Sequence, residues 1–234
     1  MIMTGRLHSF LSLGTVDGPG VRCVIFLQGC PLRCACCHNP DTRDPALGTE
    51  TEIDELVSRV LRYRSYFGPE GGVTVSGGEP LMQTMFTAEL FRKLKLLGIH
   101  TALDTSGCMI NADTETLLRY TDLVLLDDKF PDDENYLRYT GQSRAGMERF
   151  LDLLQRFSVP TWLRRVIIPG LNDSASSVLQ LKAEAEAHSC VQKTELLPFR
   201  KLCIEKYRQL GISFPLESVP EADPGLMLRL HELL

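Results

Sequence analysis

The sequence predicts an α/β fold, specifically a single-domain partial (β/α)6 barrel of parallel strands. Three observations carry the prediction. Short β-rich runs alternate with amphipathic segments, six runs occur rather than the eight of a closed barrel, and reactive or polar residues fall just after several of the runs.

In chain order the expected strands are Arg22–Gln28, Val73–Ser76, His100–Asp104, Leu123–Leu126, Thr161–Ile168 and Thr194–Leu197. Each is rich in β-branched or large apolar residues. Between them, Ile53, Leu56, Val57, Val60 and Leu61 repeat at helical spacing, as do Phe86, Leu90, Leu94 and Leu97, with Gly98 as a stop. Further helices are expected near Ala112–Tyr120, Arg144–Phe157, Ser174–His188 and Pro224–Leu234. Strands separated by helices pair in parallel, and ligands of such sheets bind beyond the strands' carboxyl ends. Cys30 follows the first run, Gly77-Gly78-Glu79 the second, Asp104-Thr105 the third, and Asp127 and Lys129 the fourth. No repeat, low-complexity tract or linker interrupts the chain, so residues 1–234 are taken as one domain.

With 44% hydrophobic and 24% charged residues, the composition is that of an ordinary globular protein. A net charge of −5 with interspersed signs gives no nucleic-acid footprint. No apolar stretch approaches the ~20 residues that span a bilayer, so no membrane partner is expected. The start MIMTGRLHSF carries no basic segment followed by a long apolar one, and a cytoplasmic location is expected. Four of the eight cysteines crowd between Cys30 and Cys37, which suits metal binding in a reducing compartment rather than a disulfide framework.

Cys30-x3-Cys34-x2-Cys37 can hold three corners of a [4Fe–4S] cube and leave one iron open. From the loop alone, a zinc site with Cys36 or His38 as fourth ligand, or an electron-carrier cluster with Cys36 or Cys23 as fourth ligand, stays open as an alternative. Zinc sites usually pair two short knuckles, and no second knuckle has suitable spacing. Val73-Thr-Val-Ser-Gly-Gly-Glu79-Pro80 then adds a strand running into two glycines and a carboxylate. Backbone can approach a ligand closely at glycines, and Glu79 can accept a hydrogen bond from an ammonium group. An open iron that chelates an amino acid, beside a site for its ammonium, describes S-adenosylmethionine (SAM).

At these residues the chain resembles the radical SAM superfamily, whose CxxxCxxC signature is matched by Cys30, Cys34 and Cys37. It is similar in particular to the activases of glycyl radical enzymes. Gly5-Arg-Leu-His-Ser-Phe10, Gly14-Thr-Val-Asp-Gly-Pro-Gly20, Phe26-Leu-Gln-Gly-Cys30, Cys37-His-Asn-Pro40, Ser76-Gly-Gly-Glu-Pro80, Gly98 to Gly107 and Leu196-Leu-Pro-Phe199 carry the resemblance nearly end to end.

The resemblance implies a radical SAM barrel, one [4Fe–4S] cluster per chain, SAM, and removal of a glycine Cα hydrogen from a glycyl radical enzyme of the pyruvate formate-lyase type. It further implies flavodoxin or ferredoxin as reductant and a monomeric chain. Gly77, Gly78, Glu79, Lys129, His38, Val166 and Arg200 fall on the cofactor side. Asp104, Thr105 and Asp127 resemble a monovalent-cation site beside the SAM carboxylate. Asp17 and Arg164 face the partner protein, and Arg165, its neighbour on the strand, points the other way.

Two positions depart from the family pattern. Cys36 stands where an aromatic residue commonly packs the adenine, so it is assigned to the cofactor side as a small filler and not as a ligand. Arg200 stands where relatives tend to have histidine. Asn39 to Gly72 contains no cysteine, which argues against an inserted ferredoxin-like segment. The alternatives are an activase of another glycyl radical enzyme or of anaerobic ribonucleotide reductase, and, from a different class, a non-catalytic iron–sulfur or zinc protein.

Overall fold

The structure, a computed structural model, describes residues 3–234. These form two compact units. The first comprises the chain up to Pro31 with Thr42–Thr105 and Met109–Leu125; the second comprises Leu32–Asp41, Ser106–Cys108 and Leu126–Leu234.

In the first unit, β1 (Thr4–Gly14) and β2 (Arg22–Leu27) are followed by β3 (Thr49–Glu52) and helix α1 (Ile53–Leu61). Then come β4 (Gly72–Gly77), α2 (Thr84–Leu96), β5 (His100–Thr105), α3 (Thr114–Leu118) and the start of β6 (Leu123–Asp127). The strand order is β3-β1-β2-β4-β5-β6. β1 is antiparallel to both β2 and β3. β2 and β4 run parallel from Arg22 opposite Gly72 to Leu27 opposite Gly77, and β4 and β5 from Gly72 opposite His100 to Val75 opposite Leu103. That register brings the carboxyl ends of β2 and β4 level, so Cys30 and Gly77–Glu79 emerge along one edge.

The core of this unit follows from residue type. Val24, Ile25, Val73, Val75, Ala102 and Leu103 are fully buried in the strands. Ile53, Leu56 and Val60 form the buried stripe of α1, and Phe86, Leu90, Phe91 and Leu94 that of α2.

The second unit continues from the end of β6 through α4 (Asp133–Thr140), α5 (Ala145–Phe157), β7 (Thr161–Ile167), α6 (Ala175–Ala187), β8 (Val191–Pro198), α7 (Ile204–Gln209) and α8 (Pro224–His231). Its strand order is β6-β7-β8, and β7 pairs parallel to β8 with Arg164 opposite Glu195. Asp132 caps α4 by accepting from the Asn135 amide at 2.8 Å, and Gly141 ends that helix in the left-handed conformation at φ 78°. α5 buries Met147, Phe150, Leu151 and Leu154.

The parallel strands β2, β4, β5, β6, β7 and β8 are the six that the sequence predicts. β1, β3, α4 and α7 are additions to the expected elements. No helix among the described residues is long and apolar enough to cross a membrane.

Candidate functional site

On the first unit the glycine turn is built onto the root of the cysteine loop. Gly78 N donates to Leu27 O at 2.9 Å, Glu79 N to Gly29 O at 2.8 Å, Gly29 N to Thr42 O at 2.7 Å and Cys30 N to Arg43 O at 3.2 Å. Gly77 adopts φ +108°, and a Cβ there would lie 2.4 Å from Leu27 N. A Cβ on Gly78 would lie 2.1 Å from Gly29 O. Both glycines are therefore required by the closeness of β2 and its following loop, whatever ligand they also admit. Gly78→Ala must move backbone. It is expected to cost about 1–3 kcal/mol and to reduce iron uptake after anaerobic reconstitution, measured as iron per chain.

Glu79 is buried, and its Oε1 accepts from Thr105 Oγ1 at 2.6 Å and from the Leu81 amide at 3.1 Å. It thus caps the 3-10 turn Pro80–Gln83 and is oriented by Thr105 at the end of β5. Asp104 accepts from Ser76 Oγ at 2.8 Å. Ser76 is a residue the sequence argument passed over; its place as the last residue before the two glycines was the available signal.

Asp17 lies in a loop that Arg22 holds from beneath. The Arg22 side chain is fully buried and donates to Thr74 Oγ1 (2.7 Å), Val73 O (2.9 Å), Pro19 O (3.0 Å) and Glu70 O (3.3 Å). Thr74 Oγ1 in turn donates to Asp17 O at 2.6 Å. Burial pulls the guanidinium down to about 10, with Asp122 and Asp17 acting the other way, so it stays a cation at neutral pH.

On the second unit, Cys34 and Cys37 are the corners of one turn, closed by Cys37 N donating to Cys34 O at 3.2 Å, with Ala35 and Cys36 between them. Two thiols at the first and fourth positions of a turn suit neighbouring corners of a cluster, and soft thiolate donors suit iron. None of the eight cysteines is in a disulfide. Among the described residues no three His, Cys, Asp or Glu side chains gather as a cage for a single ion. Burial, then the Cys34 charge, pushes the Cys36 thiol up to about 12, which keeps it protonated.

This turn is gripped on two sides. The Arg33 and Ala35 amides, flanking Cys34, donate to Thr140 O (2.7 Å) and Tyr139 O (2.8 Å) at the end of α4. From α7, Tyr207 OH donates to Cys37 O at 3.2 Å, and Lys206 reaches Asn39 Oδ1 at 2.8 Å. The exposed His38 ring is 2.8 Å from Arg200 O. The Arg200 guanidinium itself turns to Ala222 O (3.0 Å) and Glu221 (3.5 Å), so Arg200 meets the loop through its carbonyl.

Asp127 ends β6 between two cations. Its Oδ1 accepts from Arg164 Nε (3.0 Å) and Nη2 (2.8 Å), and its Oδ2 from Lys129 Nζ (3.1 Å). Burial alone would raise the Asp127 pKa, but Arg164 and then Lys129 hold it below the ordinary carboxylate value. Lys129 is held well above its usual value by Asp127 and Cys34, against burial. Arg165 faces the other way, onto Asp128, to which Arg144 also binds. Val166 is partly exposed, and its carbonyl accepts from Asn172 at 2.9 Å.

A family model described as a 4Fe-4S single cluster domain matches residues 16–145. A Clostridium pasteurianum protein named pyruvate formate-lyase-activating enzyme is 43% identical over 235 residues, covering 100% of this chain and 98% of that protein. The solved domain of a pyruvate-formate lyase-activating enzyme from Bacteroides vulgatus superposes with a TM-score of 0.57 at 19% identity, covering 70% of this chain and 92% of the other. A radical SAM methyltransferase from Sphaerobacter thermophilus gives a TM-score of 0.63 at 15% identity, covering 91% of this chain and 63% of the other. The last two likenesses concern the fold, and they bear out the radical SAM α/β architecture that the sequence predicts. With its identity to the Clostridium relative running end to end, the chain belongs to the pyruvate formate-lyase-activating enzyme family of radical SAM enzymes.

Proposed function

We propose that this chain activates pyruvate formate-lyase by removing a Cα hydrogen from one of its glycines. The carrying observation is the full-length identity to the Clostridium pasteurianum relative of that name. Cys30, Cys34 and Cys37 would hold a [4Fe–4S] cluster. When bound, the cluster and SAM supply the 5′-deoxyadenosyl radical chemistry.

The chain's own residues do the rest. The clasped Cys34–Cys37 turn presents two thiolates on a backbone already fixed by α4 and α7. Buried Glu79, oriented by Thr105, accepts the SAM ammonium beside Gly77 and Gly78. Lys129 and Arg164, held at the end of β6 by Asp127, are the cationic groups placed to meet a carboxylate. A monovalent cation at Asp104, Thr105 and Asp127 belongs to the same proposal, as do Cys36, His38, Val166 and Arg200 along the cofactor. Arg22 fixes the loop that offers Asp17 to the partner, and Arg164 is the second partner contact. The proposal includes one core domain, a monomer in the cytoplasm, and flavodoxin or ferredoxin as the electron donor.

The test combines the anaerobically reconstituted, reduced protein with SAM and pyruvate formate-lyase. The expected result is 5′-deoxyadenosine together with a glycyl radical seen by electron paramagnetic resonance. A radical raised only on anaerobic ribonucleotide reductase would move the chain to that partner. Stoichiometric zinc with no iron would end the proposal.

A further inference from the structure

Tyr136 sits in α4, one turn before the two carbonyls that clasp the cysteine loop. Its side chain is completely buried, and among the described residues its phenol oxygen has no hydrogen-bond partner. Buried hydroxyls without partners are uncommon, and each costs about 1–3 kcal/mol. Ring packing alone would be served by phenylalanine. The groups acting electrostatically on the phenol are Lys129, Asp128, Cys34 and Cys108, of which Cys34 belongs to the cluster motif. The same helix therefore clasps the residues on either side of Cys34 and carries a buried, unused donor on which Cys34 acts electrostatically.

We infer that the Tyr136 hydroxyl donates a hydrogen bond to an anionic sulfur of the loaded cluster at the Cys34 corner. That sulfur is either the iron-bound Cys34 thiolate or the adjoining sulfide; the shared chemistry is a weak, charged acceptor that arrives with the cluster. Hydrogen bonds to cluster sulfurs stabilise the more negative, reduced state and so raise the reduction potential. Tyr136 would thus be a positioning and tuning residue, with no contact to the reacting glycine. The inference rests on Cys34 as a cluster ligand.

The experiment compares wild type and Tyr136→Phe, each reconstituted anaerobically and titrated for its one-electron potential without SAM. Equal iron content is expected, with the reduction equilibrium of the variant lower by about tenfold, equivalent to ~59 mV for one electron. In the cluster-free protein, Tyr136→Phe is expected to be at least as stable as wild type, because it removes an unpaired hydroxyl. Repeating the titrations after reconstitution with selenide separates the two acceptors: a changed gap between wild type and variant assigns the sulfide, an unchanged gap the thiolate.

Equal potentials at full iron content would overturn the inference, as would a cluster-free variant less stable than wild type. Equal potentials accompanied by weaker SAM binding would also overturn it and assign the hydroxyl to SAM. Should Tyr136→Phe fail to load iron, 3,5-difluorotyrosine at position 136 keeps the shape and strengthens the donor. A higher potential is then expected, and an unchanged one overturns the inference. Wild-type protein that takes up no iron would overturn the cluster assignment itself, a separate result.

Discussion

Cys34→Ala is expected to leave the protein unable to hold a [4Fe–4S] cluster, and both 5′-deoxyadenosine and the glycyl radical should fall below detection. Cys30→Ala and Cys37→Ala should do the same, whereas Cys36→Ala should retain wild-type iron content and most of the radical yield. The contrast follows from the turn. Cys34 and Cys37 occupy its ends, while Cys36 lies inside it with a thiol that burial holds protonated. A thiol must ionise before it ligates iron. Cys36 also stands one residue short of the spacing that places Cys34 and Cys37 at neighbouring corners of the cluster. Iron analysis and the spectrum of the reduced cluster read the result directly. Loss of the cluster from Cys36→Ala with retention in Cys37→Ala would reverse the assignment.

The largest effect on stability is expected from Asp128→Ala, at about 3–5 kcal/mol. Asp128 is fully buried and faces two buried guanidiniums. Arg144 donates to it through Nε and Nη2, both at 3.1 Å, and Arg165 binds it through Nη2 and also donates from Nε to its carbonyl at 3.0 Å. Removing the carboxylate takes from buried Arg165 its ion-pair partner and leaves Arg144 with Glu148 and Glu184 alone. Burial already lowers the Arg165 pKa, and the loss of Asp128 removes the main opposing influence. For a chain of this size the cost corresponds to a fall in melting temperature of roughly 6–20 °C, measured on cluster-free protein. Replacing Asp128, Arg144 and Arg165 together by Leu and Met should recover much of the loss, because the buried charges then leave together and the carboxylates that remain, Glu148 and Glu184, reach solvent. A triple variant no more stable than Asp128→Ala would mean that shape, not charge, governs this cluster.

The sequence is more legible about the sheet than about what surrounds it. Runs such as Val24-Ile25-Phe26-Leu27 and Leu123-Val124-Leu125-Leu126 identify themselves because parallel strands are covered on both faces. β1 escapes notice for the opposite reason: it is antiparallel and half-exposed, with Leu11 and Leu13 facing outward. α4 lacks an apolar stripe, since only Tyr136 and Thr140 of its eight residues are buried. At the site, the cysteine spacing and the Gly-Gly-Glu turn are local signals and can be read directly. The pairings of Ser76 with Asp104, Thr105 with Glu79 and Arg164 with Asp127 join residues far apart in the chain, and no local pattern announces them. The roles of Arg22 and Asp128 were hidden by their charge, which ordinarily marks a surface position.

The clasp of α4 and α7 on the cysteine turn has a consequence for the life of the protein in air. Where a small domain is folded by its metal, losing the metal unravels the chain and exposes it to proteolysis. Here the amides of Arg33, Ala35 and Cys37 are bonded to backbone carbonyls, and Tyr207 holds the Cys37 carbonyl, so protein groups alone can define the turn. The expected result is that removing iron leaves the melting temperature of the chain nearly unchanged and that the same chain takes up iron again on anaerobic reconstitution; a chain that unfolds when its iron is removed would show that these hydrogen bonds do not hold the turn.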